Sequence, residues 1–166
     1  MRHIISILLQ NEAGALARVA GMFSTRGYNI ESLTVAPTDD ETVSRLTMVT
    51  AGSDEVINQI NKQSQKLVDV VEIADLTRGD HFERELLLIK LDVEAALQPR
   101  AEECVARYKG QVLDDTLDHY TVQVTGTSLE IDDFMQEIGQ IGRILEVVRS
   151  GTTAIGRGGR VLKLKT

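Results

Sequence analysis

The sequence predicts an α+β protein of two tandem ferredoxin-like βαββαβ units. Three observations predict it. Short β-branched or alternating apolar runs are interleaved with apolar stripes at helical spacing. In the first half their order is strand, helix, strand, strand, helix, strand, and the second half repeats it. Glycine follows the first helix of each half, and a Gly/Ser/Thr cluster opens the second.

Ile4 to Leu9 is a continuous apolar run, as expected of a central strand covered on both faces. Leu16, Val19, Ala20 and Phe23 follow at helical spacing, and Gly27 stands where a left-handed residue ends a helix. Ile30 to Ala36 alternates as a second strand, and Pro37-Thr38-Asp39-Asp40 is a turn. Val43 to Thr50 reads as a third strand. Ser53 is an N-cap for a helix carrying Val56, Ile57 and Ile60, and Leu67 to Ile73 closes the unit.

The second half follows suit. Glu85 to Val93 is a strand, and Leu97, Ala101, Cys104, Val105 and Tyr108 form a helical stripe with Pro99 in its first turn. Gly110 matches Gly27, and Gln111 to Asp114 matches the second strand. Tyr120, Val122 and Val124 alternate with polar residues. Thr125-Gly126-Thr127-Ser128 precedes a helix with Ile131, Phe134, Met135 and Ile138, and Ile144 to Val148 is the last strand. The boundaries are therefore 1–76, a linker 77–82, a second domain 83–149 and a basic, glycine-containing tail 150–166. Each unit carries helices on one sheet face only, so the other face and the edge strands need cover. Homodimerisation by sheet extension is expected.

Composition narrows the function. Net charge is −7, and removing the five basic residues from Arg149 onward leaves −12 on the rest. Such a body repels phosphate backbones, and the tail reads as a flexible, solvated or partner-docking segment; no nucleic acid is expected as a partner. The strands Ile4–Leu9 and Val43–Thr50 lack the aromatic residues on which RNA-recognition folds stack bases. No apolar run reaches membrane-spanning length, and the first residues are too short for a secretory segment, so a cytoplasmic protein is expected. His3, His81 and His119 have no metal-ligand spacing, and Cys104 lies on a buried stripe. Asp39, Asp40 and Glu41 fit turn chemistry. Gly151 to Gly158 lacks the Lys-Ser/Thr of a phosphate loop. No catalytic residue and no metal site are expected.

One loop has binding chemistry. The N-terminus of a helix offers free N–H groups and a partial positive charge to a carboxylate. Gly14, without Cβ, admits close approach or a positive φ, and Asn11 offers an acceptor to an ammonium and a donor to a carboxylate. Leu9, Leu16 and Ile30 are expected to supply an apolar wall, and Asn29 to lie beside the loop. The corresponding second-half segment, Asp92-Val93-Glu94-Ala95-Ala96-Leu97, has neither Asn nor Gly, and its acids repel a carboxylate. Only the first half is expected to bind.

Ile7-Leu8-Leu9-Gln10-Asn11-Glu12-Ala13-Gly14-Ala15-Leu16-Ala17-Arg18-Val19 resembles the opening of an ACT domain, with its N-x-x-G-x-L loop. Arg26 to Asp39, Lys66 to Val70 and Val147 to Gly151 resemble the small regulatory subunits of acetolactate (acetohydroxyacid) synthase, and the agreement runs the full length. The resemblance implies a non-catalytic protein whose first domain is an ACT domain. It implies an allosteric amino-acid site of Leu9, Asn11, Ala13, Gly14, Ala15, Leu16, Asn29 and Ile30, at an interface between first-half units. It further implies a separate catalytic large subunit holding thiamine diphosphate, magnesium and FAD, activation of that subunit, and feedback inhibition by valine in branched-chain amino acid biosynthesis. An ACT-type sensor controlling a different biosynthetic enzyme is the alternative.

Overall fold

The computed structural model describes residues 1–116 and 119–163. It divides into two units, Met1–Phe82 joined by the chain from Thr152 onward, and Glu83–Gly151.

In the first unit β1 (Arg2–Gln10), α1 (Ala15–Thr25), β2 (Ile30–Pro37), β3 (Val43–Ala51), α2 (Asp54–Ser64) and β4 (Val70–Asp75) build a sheet of order β2-β3-β1-β4. Ile5, Ile7 and Leu9 of β1 meet Val19 and Phe23 of α1, Leu46 and Met48 of β3, and Ile57 and Ile60 of α2 in an aliphatic core. Ser53 caps α2 as expected, its side chain accepting from the Val56 N–H. The last strand begins three residues later than the sequence predicts. Successive turns (Leu67 N–H to Ser64 O, Val70 N–H to Leu67 O) occupy the intervening residues, although Leu67 still packs on the core.

The second unit repeats the plan with β5 (His81–Asp92), α3 (Gln98–Arg107), β6 (Gln111–Thr116), β7 (His119–Gly126), α4 (Ser128–Ile138) and β8 (Arg143–Arg149), in the order β6-β7-β5-β8. A capping box between Thr127 and Glu130 starts α4. Gly27 and Gly110 match in sequence but differ in role. Gly27 has φ 70°, whereas in the second unit Lys109 takes the left-handed conformation, at φ 55°. Gly110 is needed for space instead: a Cβ there would lie 2.9 Å from Val105 and 3.0 Å from Val124. At the end of β8, Arg149 grips the buried Glu85 at 2.5 and 3.0 Å and also donates to Asp132.

The tail corrects an expectation. Its first part is a strand and not a flexible segment: β9 (Thr153–Gly156) lies on the helix-free face of the first sheet. Thr152 and Ala154 point inward and are buried, Thr153 and Ile155 outward and exposed. Ala154 packs on Ile4, Val49 and Leu76. The Thr152 N–H donates to Ser32 Oγ at 2.9 Å, and Arg45 donates to Ala154 O at 2.9 Å. The physical reason is the burial of β1 on both faces, which needs a cover that α1 and α2 do not supply.

A chain ending at Ser150 exposes Ile4, Val49 and Leu76 and loses these bonds. Its first unit is expected to be destabilised by about 2 kcal/mol, at roughly 1 kcal/mol per hydrogen bond, measured by chemical denaturation. An unchanged midpoint contradicts the structural role of β9.

Candidate functional site

The loop between β1 and α1 is held from two sides. Where β1 ends, the Gln10 N–H donates to Asp69 O at 2.8 Å; one residue on, the Asn11 N–H donates to Thr42 O at 2.7 Å. The Asn11 side-chain amide donates to Glu41 O at 2.9 Å. That turn is itself fixed, since Asp40 accepts from both the Thr42 N–H and its hydroxyl. These bonds favour the ionised form and hold the Asp40 carboxyl below the usual carboxylate range.

Gly14 is the residue on which α1 begins. Its φ of 88° is a left-handed conformation that costs a side-chain-bearing residue energy. No side chain caps this helix end, and its first turn contains no acid, so the end keeps its positive character. Asn11, Ala13 and Gly14 are exposed, and Leu16 is 41% exposed beside them. The arrangement offers amide donors, a carboxamide and an aliphatic side chain to a small ligand bearing a carboxylate.

Four expected site residues are placed differently. Leu9 and Ala15 are buried, Leu9 within the helix-side core, so neither presents a surface to a ligand. Ile30 is far from the loop, and so is Asn29. The registers show why: Gln10 pairs with Val43 at one end of β3, whereas Ile30 and His3 both pair with Thr50 at the other. The Thr50 hydroxyl also donates to Asn29 O at 2.5 Å. Seven residues of strand, about 23 Å, separate the two ends. One chain therefore brings Asn11, Ala13, Gly14 and Leu16 together and holds Asn29 and Ile30 apart from them.

Two residues of the loop's frame escaped the sequence reading. Arg18, one turn into α1, donates through Nε and Nη2 to the two carboxylate oxygens of Asp69, at 2.5 and 2.8 Å. Asp69 is buried, and a Cβ on Gly14 would come within 2.9 Å of Arg18 Nη1. Gly14 thus serves two ends, the left-handed helix start and the passage of this guanidinium. Their sequence cue was slight: Arg18 lies in the stretch Ile7–Val19, and Asp69 in Lys66–Val70. The hydrogen bond from Arg18 holds the Asp69 carboxyl below its ordinary value.

The second unit offers no counterpart. Its corresponding segment enters a 3₁₀ turn, Ala95–Leu97, and Asp92 is paired with Arg143 at 2.9 Å. Cys104 is buried; desolvation first, then Glu137, pushes its thiol up to about 11, which suppresses the nucleophilic thiolate. Among the described residues no His, Cys, Asp and Glu cluster could hold a metal ion, and no helix is long and apolar enough to cross a membrane.

Comparison with known proteins covers both units. The family described as AHAS small subunit-like ACT domain matches residues 5–72, and that described as small subunit of acetolactate synthase matches residues 84–158. The small subunit of acetolactate synthase isozyme 3 from Escherichia coli K12 is 47% identical over 163 residues, covering 98% of this chain and 100% of that one. The acetolactate synthase small subunit of Haemophilus influenzae is 44% identical over 158 residues, covering 95% and 97%. The crystal structure of the acetolactate synthase small subunit from Thermotoga maritima superposes with a TM-score of 0.87 at 30% identity, covering 96% of this chain and 99% of that one.

The Arg18–Asp69 pair carries a pH signature. A lowered carboxyl stabilises the fold above its unfolded value of about 3.9. That contribution is lost as pH falls through the lower folded value. Asp69→Asn is therefore expected to lower the melting temperature of the first unit at pH 7 and to shrink the difference from the parent on acidification. An equal difference at pH 7 and in strong acid contradicts the assignment.

Proposed function

The chain belongs to the family of acetolactate synthase small subunits, and from that premise we propose that it is a non-catalytic regulatory subunit that binds valine. Its partner in this reading is the catalytic large subunit, which it activates and on which it imposes feedback inhibition. Thiamine diphosphate, magnesium and FAD belong to that partner.

The observation that carries the reading is the open start of α1: a left-handed Gly14, no capping side chain, no acid in the first turn and Asn11 alongside. An amino acid's carboxylate is drawn to such a helix end, while the carboxamide oxygen of Asn11 suits its ammonium. Leu16 suits a branched aliphatic side chain.

The separation of Asn29 from this loop favours a site made by two copies. β2 is an edge strand whose one charged residue is Glu31, with little to deter pairing. Antiparallel pairing of β2 with the same strand of a second chain brings residue 30 of one beside residue 37 of the other. Asn29 from the second chain then approaches the end of the first sheet where Asn11 and Gly14 lie. Valine bridging two chains favours one arrangement of the dimer, and the catalytic subunit responds to that difference. A coupling of about 1–3 kcal/mol is typical and is reciprocal, so binding of the catalytic subunit changes valine affinity by the same factor.

The test is a pyruvate-condensation assay of the catalytic subunit, with and without this chain, titrated with valine. Asn11→Ala and Gly14→Val are each expected to weaken inhibition at least tenfold, a loss of about 1.4 kcal/mol or more, while activation persists. Inhibition unchanged in both variants contradicts the site; absence of activation by the parent chain contradicts the partner.

A further inference from the structure

Arg45 lies on the helix-free face of the first sheet, half-buried beneath β9. Its guanidinium meets neutral acceptors: Nε donates to Ser6 Oγ at 2.9 Å and Nη2 to Ala154 O at 2.9 Å. No carboxylate among the described residues is paired with it, and desolvation holds its pKa below the ordinary arginine value. A partly desolvated cation left without a counter-charge is unfavourable unless an anion visits it.

The tail and β4 line a half-open cavity of about 510 Å³ next to this group. Ile73, Leu76 and Ile155 give it apolar walls. Its charged lining is Arg45, Arg160 and Lys163 against Glu72, a formal balance of +2 in a chain whose net charge is −7. Arg160 spends one N–H on Asp75 O at 2.6 Å, again a neutral acceptor. The volume lies within the range of small-molecule sites. None of these residues belongs to the β1–α1 loop.

We propose that this cavity is a second ligand site, for a small phosphate monoester with an apolar body. The dianion matches the balance of +2. Arg45 has three N–H groups left after its two hydrogen bonds, enough to grip two phosphate oxygens. The apolar walls take the organic part. Because Ile155, Gly156 and residues 160–163 form one side, the ligand binds only when the tail is seated, and it stabilises the seated state.

The test uses the full chain and phenyl phosphate, with inorganic phosphate, benzoate and chloride at matched ionic strength as comparison arms, followed by calorimetry and amide NMR. Saturable binding of one phenyl phosphate per chain is expected, with shifts at Arg45, Ala74 and Ile155 and weaker binding of phosphate and of benzoate. Arg45→Gln is expected to weaken it about tenfold, the loss of one charge-assisted contact. Lys163→Gln is exposed and holds no described contact of the tail, so it leaves the fold intact and is expected to weaken binding severalfold. The proposal is overturned by no saturation at millimolar phenyl phosphate, by equal affinity in parent and both variants, or by an equal response to chloride, which is screening and not a site.

Discussion

Everything in the first unit hangs on β1 being buried on both faces. Seven consecutive residues, His3 to Leu9, are inaccessible. Those facing α1 and α2 are closed off by the aliphatic core, and those facing away need a separate cover, which the chain supplies from its own C-terminal end. The same strand sets the frame for the proposed site. Its antiparallel register with β3 directs the β1–α1 loop to one end of the sheet, and the register of β2 with β3 puts Asn29 at the opposite end. Cover for the second face and division of the ligand residues are two consequences of one strand's position.

The alternation of strands and helices was legible because each element combines a period with a stop signal. Ser53, Thr127 and Gly27 lie at helix ends, and the stripes of α2 to α4, with Val19 and Phe23 of α1, reach the core as their spacing requires. Local signals did less well where long-range contacts decide. Nothing in Gly-Thr-Thr-Ala-Ile-Gly says that it will lie against Ile4 and Val49, since four residues of weak alternation gain order only from the face they meet. Gly110 resembled Gly27 by position, yet the left-handed residue is Lys109, and Gly110 answers instead to the crowding of Val105 and Val124, which a Cβ there would meet at 2.9 and 3.0 Å.

The binding loop was half legible. Asn11, Gly14 and Leu16 are local to one turn, so their chemistry could be read together, and the chain does gather them. Leu9 was misread because strand parity turns odd residues of β1 to the core. Asn29 does not lie beside the loop of its own chain, because adjacency in a sheet is not adjacency along it. Arg18 and Asp69 are 51 residues apart, and their pairing is visible only once α1 and the turn before β4 pack together. That pair braces the loop, and it gives Gly14 a structural duty alongside its place in the proposed site.

The central claim is that valine needs residues from two chains, and a mixing experiment tests it most directly. Asn11→Ala and Asn29→Ala chains, each expected to bind valine at least tenfold more weakly alone, are unfolded together, refolded as a mixture and titrated calorimetrically. A site shared across a two-fold axis leaves one intact site in each mixed dimer, so the mixture recovers about a quarter of the parental capacity at parental affinity. A mixture that binds no more valine than its separate components contradicts the account.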